Sequence, residues 1–149
     1  MCMKIKKQSH VAYQIAYHIV WIPKRRHKIL VSGVAKYLEK VMDGYLRDRY
    51  PDVHIHERNI QKDHVHILIE IPPKYAVCKI VQDIKSNTSK EMRRKFEYLR
   101  RGRKSMWGVG YFVSTIGRDE KVVRRYISHQ EAEEKGHAVY AELETTDVA

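Results

Sequence analysis

Residues 53–71 read VHIHERNIQKDHVHILIEI, and the second half of this stretch decides the fold. Val65, Ile67, Ile69 and Ile71 alternate with His64, His66, Leu68 and Glu70, the period of two that sends successive side chains to opposite faces of a β-strand. One face is wholly aliphatic and belongs on a core. The other carries both imidazoles, which should therefore point away from the helices toward an open side of the sheet. Val53 to Ile60 is a second strand-like run, separated from His64 only by Gln61, Lys62 and Asp63, so the two form a hairpin that Pro72 and Pro73 close.

Working outward, Val11 to Ile22 (VAYQIAYHIVWI) is rich in β-branched and aromatic residues and stops at Pro23, which predicts a first strand. Gly33 to Tyr50 carries Val34, Leu38, Val41, Tyr45 and Leu46 at helical spacing and ends before Pro51. Tyr75 to about Leu99 repeats that spacing with Ile80, Val81, Ile84, Met92 and Phe96, although Ser86, Asn87, Thr88 and Ser89 weaken its middle and could bend or break it. Val109 to Ile116 predicts a fourth strand, and Asp119 caps a last helix reaching Gly136. The order β-α-β-β-α-β-α gives an α+β fold: a ferredoxin-like antiparallel sheet with two helices on one face, plus an extra C-terminal helix that carries Tyr126. Residues 1–149 form one domain with an ordered core at about 11–136, a length sufficient for a hydrophobic core without disulfides.

Lys and Arg outnumber Asp and Glu by 29 to 18, giving a net charge of +11, and this imbalance suits a polyanion such as nucleic acid. No apolar run approaches the ~20 residues that span a bilayer, so the expectation is a cytoplasmic protein without a membrane partner. Cys2 and Cys78 have neither zinc-ribbon nor disulfide spacing.

Two imidazoles at i and i+2 of one strand can reach a single divalent ion. His54 and His56 repeat the pattern one strand earlier, and spacing cannot choose between the pairs. On the last helix Tyr126 and Gln130 lie one turn apart on one stripe, so a phenol and an amide could enter one site. Taken singly, the histidine pairs and Tyr126 are better explained by a solvated face and by packing.

Their combination is more specific. Tyr17-His18-Ile19-Val20-Trp21-Ile22-Pro23-Lys24, Asp63-His64-Val65-His66-Ile67-Leu68, Met106-Trp107-Gly108-Val109-Gly110-Tyr111-Phe112 and Tyr126-Ile127-Ser128-His129-Gln130 together resemble the single-tyrosine HUH transposases of the IS200 class of insertion sequences. The resemblance implies metal ligation by His64, His66 and Gln130, and attack on DNA by Tyr126 through a 5′-phosphotyrosine intermediate. It implies a homodimer acting on single-stranded DNA with hairpins near the element ends. Mixed nitrogen and oxygen donors, with phosphoryl chemistry, favour Mg²⁺ or Mn²⁺. DNA contacts are expected from Lys24, Arg25 and Arg26 and from Arg93, Arg94, Arg100, Arg101, Arg103 and Lys104, which aromatic residues interleave. The alternatives are a non-catalytic ferredoxin-like module that binds nucleic acid on sheet aromatics and a metal nuclease that uses water as its nucleophile.

Overall fold

The computed structural model describes residues 4–101, 104–115 and 125–128. The chain forms β1 (Lys6–Gln8), β2 (Val11–Tyr13), β3 (Tyr17–Trp21), a 3₁₀ turn at Lys24–Arg26, α1 (Ser32–Arg49), β4 (His54–Gln61), β5 (His64–Glu70), α2 (Val77–Lys95), a second 3₁₀ turn at Glu97–Leu99 and β6 (Phe112–Ser114). β1 and β2 make a small hairpin of their own, while the main sheet is antiparallel in the order β4-β5-β3-β6. The fold is α+β. No helix among the described residues is long and apolar enough to cross a membrane.

Alternation along β5 sets the layers. Val65, Ile67 and Ile69, with Ile19 and Trp21 of β3, face a core that α1 closes with Val34, Leu38, Met42 and Leu46, and α2 with Ile80, Val81, Ile84 and Met92. Trp21 opposes Val65 and Tyr17 opposes Ile69, so the aliphatic faces of β3 and β5 coincide in register. A second, smaller cluster lies on the other face, where Val20 and Ile22 meet Tyr126 and Ile127, with Phe112 packed alongside. The side expected to be open is therefore partly covered, and His66 is only 6% exposed.

Three elements differ from the sequence reading, the first being the fourth strand: expected at Val109 to Ile116, it is Phe112–Ser114, with residues 109–111 in the loop before it. Residues 11–22 are not one strand: Val11–Tyr13 turns back on Lys6–Gln8, and only Tyr17–Trp21 joins the main sheet. β-branched composition specifies an extended chain but not its partner. α2, by contrast, is continuous through Ser86–Ser89, because its polar middle has partners. The Thr88 hydroxyl donates to the Ile84 carbonyl (2.7 Å) and accepts from Trp107 Nε1 (2.9 Å), while Ser89 Oγ accepts from the Met106 amide (3.2 Å). These buried hydroxyls anchor the segment that leads into β6, and Trp107 stands edge-on to Trp21 at 5.8 Å.

The C-terminal end of α1 is tied to the first turns of α2 by the Tyr50 hydroxyl, which donates to Asp83, and Lys79 Nζ lies 2.9 Å from the same carboxylate. The hydrogen bond to Asp83 raises the Tyr50 pKa to about 12 and, from the other side, holds Asp83 below the ordinary carboxylate range. A raised phenol pKa contributes stability that is complete below pH 10 and lost as pH climbs toward 12. A depressed carboxyl contributes stability that is present above the unfolded value near ~4 and lost on further acidification. The Tyr50→Phe variant should therefore lose about 1 kcal/mol at neutral pH, discounted for solvent access. Its denaturant midpoint should also fall less steeply than wild type between pH 10 and 12. Parallel curves across that window would show that the pair contributes nothing.

Candidate active site

β5 delivers His64 and His66 to the sheet face that also carries Val20. His66 sits opposite Val20 of β3 and Asn59 of β4 in register. Its Nε2 lies 3.3 Å from Nδ1 of His18, with the rings edge-on at 5.5 Å. One ring must supply the N–H and the other the lone pair. Beside them is a cavity of about 300 Å³ lined by His18, His66, Leu68 and the Glu57–Asn59 stretch of β4.

His64 is held differently. Its Nδ1 is 2.9 Å from Asp63 Oδ1, and the other oxygen of Asp63 accepts from Arg26 Nε at 2.9 Å. Burial opposes ionisation of Asp63, but the hydrogen bonds from His64 and Arg26 outweigh it and keep the carboxyl below its ordinary range. An ionised carboxylate can only accept, so His64 Nδ1 carries the proton of this hydrogen bond and Nε2 is the nitrogen left for a ligand. A carboxylate behind a histidine is the usual buttress of a metal-ligating imidazole.

Residues 125–128 are helical, and Tyr126 is 3% exposed. Its ring packs 5.6 Å from Phe112 in the cluster with Val20 and Ile22. Val20 and His66 are register partners, so Tyr126 lies on the histidine face of the sheet rather than against the helices. Phe112 is half-buried in a tilted contact with Tyr126, which leaves less of its ring open to a base and disfavours the sheet-binding alternative. Gln130, the last member of the expected ligand set, and Arg103 lie outside the described residues.

Among the described residues no group of three His, Cys, Asp or Glu is placed to hold a metal. A site built on His64 and His66 therefore takes any third protein donor either from another kind of group, such as an amide oxygen, or from outside the described residues. The donor set fits a divalent ion on these terms: His64 presents Nε2, and His66 can offer its own Nε2 if it releases His18. His54 and His56 are poorer candidates. His54 opposes Glu70 at the far end of β5, ~20 Å from His64 at about 3.3 Å per residue. His56 Nε2 lies 3.7 Å from the buried Glu70, which also faces Lys6 Nζ at 3.4 Å.

The basic residues differ in their partners. Lys24, Arg25 and Lys104 are exposed, whereas Arg26 is committed to Asp63, Arg93 Nη1 donates to the Lys104 carbonyl (2.8 Å) and Arg94 pairs with Glu91 (2.6 Å). Arg100 and Arg101 are exposed on the segment after α2, with Arg101 3.6 Å from Glu97. Two site features were missed. Alternation against the buried Ile19 was enough to place His18 on the histidine face, but its meeting with His66 depends on strand pairing. The role of Asp63 depends on Arg26, 37 positions away in sequence.

The family model described as "Transposase IS200 like" matches residues 11–130. The chain is 31% identical over 139 residues to the transposase for insertion sequence element IS200 of Salmonella typhimurium, covering 87% of this chain and 86% of that one. It is 26% identical over 135 residues to the ISDra2 transposase TnpA of Deinococcus radiodurans, covering 89% and 95%. Among solved structures, a Deinococcus radiodurans R1 protein assigned as a transposase superposes with a TM-score of 0.76 at 25% identity, over 90% of this chain and 99% of that one. A REP-associated tyrosine transposase bound to a REP hairpin shares the fold, with a TM-score of 0.52 at 15% identity, over 89% and 74%.

Proposed function

The chain belongs to the IS200-like transposase family, and from that premise we propose that it cuts and rejoins single-stranded DNA through a covalent bond to Tyr126. The observation that carries this reading is the placement of Tyr126 on the same sheet face as His66, with His64 buttressed by Asp63 nearby on the same strand. The architecture is the ferredoxin-like one, with the Tyr126 helix as its addition.

His64, His66 and Gln130 would hold Mg²⁺ or Mn²⁺, which would supply positive charge at a non-bridging oxygen of the scissile phosphate. Tyr126 Oη forms a bond to phosphorus, the bond to the 3′ oxygen breaks, and that oxygen leaves with its electron pair and is protonated. The products are a 5′-phosphotyrosine and a free 3′-OH. The phenolic proton is lost to solvent or to the leaving oxygen, since an unperturbed phenol near pKa ~10 is mostly protonated at neutral pH. One phosphodiester is exchanged for another, so a second 3′-OH can reverse the step without ATP. Hairpins near the element ends as substrate, a homodimer as the working unit and a cytoplasmic location are parts of the same proposal.

Incubating the protein with labelled single-stranded DNA from the flanks of its own gene, with Mg²⁺ or Mn²⁺, should give a labelled protein band on a denaturing gel that EDTA abolishes. Cleaved DNA without that band would instead identify a water-using nuclease.

A further inference from the structure

A cavity of about 560 Å³ opens between α2 and the loop of residues 105–111, within the range of pockets that take small ligands. It is built rather than incidental. The Lys24 amide donates to the Met106 carbonyl (2.9 Å) and the Gly108 amide to the Ile22 carbonyl (2.8 Å), stitching the basic turn to the loop. Lys85 Nζ donates to the carbonyls of Gly108 (2.9 Å) and Gly110 (2.7 Å), and Gly110 adopts φ 88°, where a side chain would be strained. This clamp leaves Val109 between the two glycines with 87% of its surface exposed at the cavity wall. Gln82 and Ser86 add an amide and a hydroxyl to the lining, and Lys24 and Arg25 add positive charge.

The turn that carries those charges is conformationally costly. Arg25 (φ 57°) and Arg26 (φ 53°) are consecutive non-glycine residues in the left-handed region, which a fold retains only when its surroundings enforce it. The turn has two duties. Lys24 and Arg25 line the cavity, whereas Arg26 grips the Asp63 carboxylate that holds His64. Trp21 pairs with Val65, so β3 leaves the sheet into this turn at the end where β5 begins with His64.

We propose that this cavity receives one unpaired base of the DNA strand being cut, with the base against Val109, its edge hydrogen-bonded by Gln82 and Ser86, and its phosphate on Lys24 and Arg25. The proposal rests on the single-strand reading above and adds a protein-made specificity pocket linked to His64 through the Lys24–Arg26 turn and Asp63. An amide can both donate to and accept from a base edge, and an aliphatic side chain beneath a base buries apolar surface of any base.

The test uses the full chain with labelled valine methyls, in EDTA, titrated with oligothymidylate, oligocytidylate and oligoadenylate octamers and with an abasic octamer. At least one base-bearing octamer should shift the Val109 and Val81 methyls saturably, and the abasic octamer should not. Gln82→Ala and Lys24→Ala should each weaken that octamer about fivefold or more. Octamers that bind by fluorescence anisotropy without moving these methyls, or an abasic octamer that moves them equally, would overturn the pocket and leave DNA binding standing. Absence of binding by every octamer at low salt would overturn the single-strand reading itself.

Discussion

Tyr126→Phe should remain folded and bound to single-stranded DNA while forming no covalent DNA–protein band. The ring is a structural element, packed with Phe112, Val20, Ile22 and Ile127, and phenylalanine preserves all of that packing. Only the hydroxyl is lost. Removing the nucleophile of a covalent mechanism typically costs several orders of magnitude, so the rate should fall by about a thousandfold or more. Tyr126→Ala is a different experiment: it empties a buried site and should cost about 3 kcal/mol of stability as well. Comparing the two variants by melting temperature and by denaturing gel separates chemistry from packing. A phenylalanine variant that still yields the adduct would remove Tyr126 from the mechanism.

The second large effect is expected at β5. His64→Ala and His66→Ala should abolish cleavage at any Mn²⁺ concentration, whereas His54→Ala and His56→Ala should cleave normally. The first pair shares the sheet end and face with Tyr126, and the second faces Glu70 at the other end of the strand. Asp63→Ala should be intermediate. It removes the acceptor that fixes the His64 tautomer, so the Mn²⁺ concentration for half-maximal cleavage should rise about tenfold or more, with activity recovered at saturation. Full cleavage by His66→Ala alongside an inactive His54→Ala would transfer the metal to the other pair.

Much of this arrangement was legible in the chain because it depends on local periodicity. The alternation of residues 64–71 fixed which face of β5 is core, and the helical spacing of Val34, Leu38 and Leu46 fixed the buried stripe of α1. What escaped depends on pairing between distant segments. Nothing within residues 86–89 announces that Thr88 will receive the Trp107 indole N–H, so four polar residues look like a weak point when two of them are an anchor. The β1–β2 hairpin was hidden in the same way, since Val11 is extended whether it pairs with Gln8 or continues into the main sheet. His18 and the 560 Å³ cavity belong with these, being products of strand order and of a loop stitched to a turn.

The burial of Tyr126 bears on how such a chain would lose its activity. On the proposed mechanism Tyr126 is both reagent and core filler and tolerates only substitutions that spare the ring, and one base change converts a tyrosine codon to phenylalanine. Inactivation by that route would leave an intact, DNA-occupying relic instead of a misfolded one. A mobile element could then decay into a resident binding protein in a single step.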